Sequence, residues 1–352
     1  MARADVSFIA WSSVSGRSAE IARAVGGEAR CFYALPGVSS KFVPLRWLLS
    51  GVRTIRYLLR RRPRAVIVTN PPIFAAAIAL VYSRVTRSPL VLDSHPSAFG
   101  LKDDRVAAVM LPVHRWIARR ANGVMVTAPE LVEAVDDWGG RAAPVHEAPP
   151  PWDIAPAGPP RARPVVLFVG TFGSDEPVDE VAEAARRLPD VDFRLTGDLR
   201  KAPPGLRDAM PPNVTLVGFL PLDGYARELA EADLVLALTT ERNSVVRAGY
   251  EAVYAGRPLV VSDWPVLRNV FPYAVHTGHR AEDLAAAVRE ALADHDRLRQ
   301  AARPAEDLQR ARWQRQEQIL RDWLEASRSR GPHRKGATVN TTREPTTPER
   351  AR

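Results

Sequence analysis

The sequence predicts an α/β protein made of two doubly wound parallel-sheet domains that face each other across a cleft. Three observations carry this expectation. The chain has 352 residues, more than the roughly 150 of one ordinary domain. Strand-like apolar runs alternate with helix-like segments, an order that builds a parallel sheet covered by helices. The alternation halts at a proline-rich stretch and then restarts. A content of 46% hydrophobic and 25% charged residues is near the globular average and excludes a wholly disordered or fibrous chain. Cys31 is the only cysteine, which excludes an intramolecular disulfide and a cysteine zinc cluster. It reads as a small core hydrophobe. The longest clean apolar run, Ile73 to Tyr82, is about half of the roughly 20 residues a spanning helix needs. The N-terminus moves straight into a strand-like run, so no signal peptide is expected.

In chain order, Val6 to Trp11 reads as a buried strand, and a helix opens at Ser15 and closes at Gly26. A second helix, PLRWLLSGVRTIRYLLRRRP, ends at Pro63. Arg64 to Asn70 and Pro89 to His95 are strands that stop at polar residues, and Gly123 to Ala128 is another. This first α/β domain spans residues 1–147. Residues 148–164 form the linker, too rich in proline for a helix or a central strand. Val165 to Gly170 restarts the pattern. Pro177 and the acids after it open the next helix. VDFRLTG, NVTLVGF, ADLVLAL and PLVVSD are four further strands. RAGYEAVYAGRP is a helix closed by Gly256 and Pro258. From Glu282 to Leu324 the chain reads as mostly helical, with a break expected at Pro304. The second domain is therefore placed at 165–327, and a basic tail at 328–352 is expected to be disordered.

The formal net charge is +9, and its placement matters more than its size. From Ala29 to Leu92 there is no Asp or Glu, while eleven Arg or Lys fall in that window. A solvated surface normally mixes both signs, so this one is expected to meet something anionic. In the helix before Pro63, Leu48, Val52, Ile55 and Leu59 fall within about 60° of one another. Arg46, Arg53, Arg56 and Arg60 cluster apart from them within about 80°. Two readings stay open: a core helix with a solvated basic face, or a surface helix that meets anionic lipid headgroups with Trp47 and Tyr57 near the interface. The sequence has no helix-turn-helix, zinc-finger or RNA-recognition motif, so nucleic acid is not an expected partner.

No single motif is decisive for chemistry. There is no Walker A sequence, GxSxG elbow or HExxH, and the loop after the first strand, SVSGRS, is not a GxGxxG fingerprint. No cofactor and no metal site are expected. That loop does place Gly16, Arg17 and Ser18 at a helix N-terminus, where free N–H groups suit a phosphate. Asp93 and His95 end a strand whose tip points into the cleft, two residues apart on one side. Such a pair can hold a hydroxyl or act as a general base. Arg247 and Glu251 share a helix face, as a surface ion pair or as ligands of a diphosphate and a ribose. The loop before them offers free amides around Asn243, Ser244 and Val245.

The segment NVTLVGFLPLDGYARELAEADLVLALTTERNSVVRAGYEAVYAGRPLVVSD resembles the C-terminal half of a GT-B glycosyltransferase, through Gly218, Phe219, Ala232, Asp233, Glu251, Ala255, Gly256 and Pro258. Retaining members of glycosyltransferase family 4 usually carry a glutamate eight positions before the one matched by Glu251. Here that position is Asn243. The loop from Gly170 through Gly173 to Pro177 lacks their basic residues. Its acidity, together with Pro71, Pro72 and the D-x-H of Asp93 and His95, resembles the mannosyltransferases that act on chitobiosyl-diphosphodolichol.

The resemblance implies metal-independent transfer of a hexose, with inversion, from a nucleotide sugar to a glycan. GDP-mannose is the implied donor and a polyprenyl-diphosphate-linked glycan the implied acceptor. Arg247, the amides of Asn243 to Val245 and the Gly170–Gly173 loop would hold the donor diphosphate, Glu251 the ribose, and Asp93 or His95 would be the base. The acid-free helix would then hold the enzyme at the cytoplasmic face of the membrane, in cell-envelope or exopolysaccharide synthesis. Two alternatives remain open: a nucleotide-sugar 2-epimerase, and a catalytically degenerate binding or scaffold protein, which Asn243 would favour.

Overall fold

The computed structural model describes residues 5–35, 42–100 and 105–326. Lys41, Lys102 and the basic tail lie outside the described residues. The first sheet has six parallel strands in the order β2-β1-β3-β4-β5-β6. Their ranges are β1 (Val6–Ala10), β2 (Glu28–Cys31), β3 (Ala65–Asn70), β4 (Leu90–Ser94), β5 (Gly123–Val126) and β6 (Ala142–Pro144). The crossover helices are α1 (Gly16–Ala24), α2 (Val43–Arg61), α3 (Ile73–Thr86), α4 (Arg105–Ala118) and α5 (Pro129–Asp137). The chain steps one way from β1 to β2 and the other way from β2 onward. Right-handed crossovers therefore put α1 on one face of the sheet and α2 to α5 on the other.

The second sheet repeats the plan as β12-β11-β10-β7-β8-β9. It comprises β7 (Val165–Phe168), β8 (Asp192–Thr196), β9 (Val214–Gly218), β10 (Leu234–Ala237), β11 (Leu259–Ser262) and β12 (Val275–Thr277). Its helices are α6 (Val178–Arg186), α7 (Leu206–Ala209), α8 (Leu222–Glu231), α9 (Arg247–Tyr254), α10 (Pro265–Val270), α11 (Ala281–Ala293) and α12 (His295–Glu325). The strands expected from the sequence are present. The edge strands β2, β6 and β12 were not anticipated: they pair on one side only, are short, and lack a continuous apolar run.

Cys31, expected in the core, is exposed at the edge strand β2, and three expectations about the helices and linker change. The helix α12 runs unbroken through Pro304. Its C-terminal half leaves the second sheet and packs on the first domain. Trp313, Leu320 and Trp323 join Phe8, Ile67 and Met125 in one buried cluster, covering the face of the first sheet that α1 covers only in part. A Cβ on Gly123 would sit 2.1 Å from the Trp323 ring, so β5 needs glycine there for α12 to dock. The linker is also no free tether. Arg257 donates to the Ala155 carbonyl at 2.7 Å, and Ala148 and Ala157 are buried.

The third change concerns α2. Its buried residues are Ser50, Gly51, Thr54 and Leu58, not the stripe of Leu48, Val52, Ile55 and Leu59, which is exposed. Gly51 lets the helix approach closely, since a Cβ there would meet Ile78 of α3 at 3.3 Å. Thr54 accepts a hydrogen bond from the Trp11 indole at 2.9 Å and donates to the Ser50 carbonyl. The helix docks by small and polar residues and turns its aliphatic stripe outward. Tyr57 points inward, bonded to Glu28 at 2.7 Å, and Trp47 packs on Phe74 with ring centroids 5.0 Å apart. Tyr57 is thus turned away from the position expected for it, whereas Trp47 lies beside Phe74, which is exposed.

Candidate active site

The loops after β1 and β7 lie where the strand order of each sheet reverses, the usual ligand crevice of an open α/β sheet. Here two helix N-termini meet from opposite domains. Ser15 caps α1 by accepting from the Ser18 amide at 3.2 Å, and its hydroxyl bonds that of Ser18 at 2.7 Å. Ser18 is thus buried and spent on the cap. Arg247 opens α9 and lies over Gly16, where a Cβ would come within 2.8 Å of its guanidinium carbon. Only glycine permits that approach.

Arg247 is held by three carboxylates: Glu251 at 2.7 Å, Glu147 at 3.1 Å and Glu20 of α1 at 2.6 Å. Glu147 bridges the domains, because its other oxygen accepts from Arg17 at 2.9 Å. Arg17 in turn grips Asp93 through Nε and Nη2 at 3.0–3.2 Å and donates to the carbonyls of Val145 and His146. All five guanidinium N–H groups are used. Arg17, expected at a phosphate, is turned inward as a structural cation and has no donor left for one. Two of the five N–H groups of Arg247 have no acceptor among the described residues, and its side chain is 28% exposed.

The cluster brings four carboxylates against two guanidinium groups and two positive helix ends, each end worth about half a charge. These positive groups offset about three of the four negative charges, which eases the burial of so many acids in one space. Burial pushes the Glu251 and Glu20 carboxyls above their ordinary values despite Arg247. Glu251 also accepts from the Tyr225 hydroxyl at 2.6 Å, and burial with that carboxylate pushes the Tyr225 phenol well up. Burial would raise Asp93 too, but the charges of Arg17 and His95 and the Arg17 hydrogen bonds outweigh it and hold the carboxyl low. Asp93 is 2% exposed. His95 has 43% of its side chain exposed, with Nε2 3.7 Å from Asp93 Oδ2. His95 is therefore open to solvent with an ionised carboxylate behind it.

The structure thus gathers Gly16, Arg17, Ser18, Asp93, His95, Arg247 and Glu251 into one place. In the loop before α9, Ser244 gives its amide to the Glu241 carbonyl at 3.1 Å. The amides of Asn243 and Val245 have no acceptor among the described residues. The loop of Gly170 and Gly173 is occupied by its own acid: Glu176 accepts from the amides of Thr171 at 2.8–2.9 Å and Gly173 at 3.2 Å. Asp175 then ties this loop to Thr239 and Thr240. Glu20, Glu147 and Tyr225 were not anticipated. Nothing local marks them, since each acquires its role from a partner at least 26 positions away. Arg46, Arg53, Arg56 and Arg60 lie on α2 and not in this cluster. Arg46 bonds Tyr33 at 2.9 Å and stacks on its ring, while Arg53, Arg56 and Arg60 are exposed.

Residues 2–151 match the glycosyl transferase 4-like domain family, and residues 179–325 match the glycosyl transferase-like family. Among curated proteins none matches the sequence. Among solved structures, sucrose-phosphate synthase from Thermosynechococcus elongatus is similar at TM-score 0.68 and 14% identity, covering 90% of this chain and 96% of that one. Anabaena HepE, in complex with UDP and glucose, is similar at TM-score 0.69 and 16% identity, covering 91% and 99%. A glycosyltransferase from Rickettsia africae gives 0.57 and 11%, covering 90% and 98%. These distant likenesses show the two-domain fold. With glycosyltransferase family matches on both halves and the two-domain fold they share, the chain is a glycosyltransferase of the GT-B superfamily.

Proposed function

We propose that the protein transfers a hexose from a nucleoside-diphosphate sugar to a lipid-linked glycan, by attack of an acceptor hydroxyl on the anomeric carbon. The observation that carries this reading is the meeting of the α1 and α9 N-termini around Arg247 and Glu251, with exposed His95 beside them. The leaving diphosphate takes up charge as the glycosidic bond breaks. The two remaining N–H groups of Arg247 and the amides of Asn243 and Val245 are positioned to meet that charge. Glu251 is the group for the ribose hydroxyls. His95 accepts the proton of the attacking hydroxyl, and buried Asp93 steadies the imidazolium that results. Because Asp93 has no access to the cleft, His95 is the base of choice.

HepE binds UDP and glucose in its structure, which supports a nucleoside diphosphate as the leaving group. The resemblance of DSH and TNPP points instead to GDP-mannose, a polyprenyl-diphosphate acceptor and cell-envelope or exopolysaccharide synthesis. Thermal shift with GDP, UDP, ADP and dTDP separates the donors. A ligand at 100 times its Kd adds about 2.7 kcal/mol of stability. One nucleotide should shift the wild type, lose its effect in Glu251→Ala and Arg247→Ala, and keep it in His95→Gln, which should bind donor without turnover. Binding with no turnover of any lipid-linked acceptor would favour the scaffold reading, to which Asn243 lends support.

A further inference from the structure

The exposed aliphatic stripe of α2 is part of a larger surface. Sixteen large hydrophobic residues are exposed among the described residues; five lie on α2, three on α3 and three on α4. On α2 these are Leu45, Leu48, Val52, Ile55 and Leu59, with Leu48 at 64% and Leu59 at 62% exposure. The outer side of α3 adds Val81 and Val85, the latter 80% exposed, and α4 adds Val109 and Trp116. The helices pack side by side, α2 on α3 and α3 on α4, so their outer sides form one face of the first domain. Exposed hydrophobics scattered singly need no explanation, but a concentration on one face marks an interaction surface.

The charge on these helices selects the partner. None of the three contains an Asp or Glu. On α2 the exposed arginines 53, 56 and 60 run in a stripe beside the aliphatic one, and they make no ion pair among the described residues. A protein partner would need a matching apolar face with an acidic border. An anionic bilayer supplies both at once, acyl chains for the aliphatic side chains and phosphates for the guanidinium groups. No helix of the described residues is long and apolar enough to cross a membrane, so the contact lies on the membrane surface. The N-terminal turns of these helices follow the carboxyl ends of the strands, the side on which the cleft opens.

We infer that the outer face of α2, α3 and α4 docks on an anionic lipid bilayer, with Leu48, Val52, Ile55 and Leu59 entering the headgroup–acyl boundary and Arg53, Arg56 and Arg60 on the phosphates. This deepens the lipid-acceptor part of the proposed function and rests on it only for the reason a membrane is needed. The test is flotation of the full chain with vesicles of phosphatidylcholine containing about a third phosphatidylglycerol, at low and high salt. The wild type should float with anionic vesicles and not with pure phosphatidylcholine. Leu48→Gln/Leu59→Gln, which leaves the charge unchanged, should lose at least tenfold in partition with an unchanged melting temperature. Arg53→Gln/Arg56→Gln/Arg60→Gln should lose about a hundredfold and its salt dependence.

A wild type that ignores anionic vesicles at low salt overturns the inference, as does a leucine variant that floats like wild type. Self-association abolished by the leucine substitutions, with no vesicle binding, also overturns it and assigns the face to a second copy of the chain. Donor binding is read separately by thermal shift. Vesicle binding without nucleotide binding would therefore refute the proposed donor site alone, and the reverse would refute the docking face alone.

Discussion

Replacing Arg17 by Met removes the cation at the centre of the first domain's buried charge and keeps most of its volume. Arg17 is 8% exposed and Asp93 2%, so the Asp93 carboxylate loses three guanidinium contacts at 3.0–3.2 Å with no water to replace them. Glu147 keeps only Arg247. Breaking a buried pair by removing one partner costs about 3–5 kcal/mol, and two carboxylates and two carbonyls are stranded here, so about 4 kcal/mol is expected. The pH dependence gives the reasoning a sign. In the wild type the Asp93 carboxyl is held below its ordinary value of 3.8. Its stabilisation is therefore present above that value and lost only as the pH falls through the lower folded one. In the variant, burial is opposed only by His95 and raises the carboxyl. The deficit relative to wild type should therefore be largest near pH 7.5 and shrink toward pH 5. Urea unfolding followed by tryptophan fluorescence on both proteins measures it. A deficit below about 1 kcal/mol, or one independent of pH, would refute the account of Arg17 as a structural cation.

Three further outcomes test other parts of the structure. Gly123→Ala should cost about 3 kcal/mol or more by forcing Trp323 off β5. A truncation removing the C-terminal half of α12 should destabilise the first domain rather than the second, as hydrogen exchange in β1 and β3 would report. His114 and His146 are both pushed down, chiefly by burial, to about 4 and about 3. The unfolded chain takes up protons at both near pH 6.5 while the folded chain does not. Each should therefore remove about 1.4 kcal/mol between pH 7.5 and 5.5. A flat stability profile over that range would contradict their burial as neutral rings.

Much of the architecture was legible because buried parallel strands are continuous apolar runs, and Val6–Ala10, Ala65–Asn70 and Leu259–Ser262 read that way from their residues alone. The prolines of 148–164, the closing Gly256 and Pro258, and the acid-free span from Ala29 to Leu92 were equally visible, because each depends on what a residue is and not on what it meets. The site was half legible. Strand ends and helix starts flagged Gly16, Asp93, His95, Arg247 and Glu251, since in a doubly wound sheet those positions converge whatever the details.

What joins them was not legible. Glu147 sits 100 positions from Arg247 and Glu20 sits 227, and only the docking of two domains makes them partners. Packing within the first domain, of α1 against the ends of β4 and β6, turned Arg17 from an expected phosphate ligand into the partner of Asp93. The second outcome that tertiary structure decided is the orientation of α2. Periodicity shows that an aliphatic stripe exists, but a moment has no knowledge of which side the sheet lies on. Gly51 and Thr54 fit against Trp11 and Ile78, and close packing by small residues left the leucines facing out.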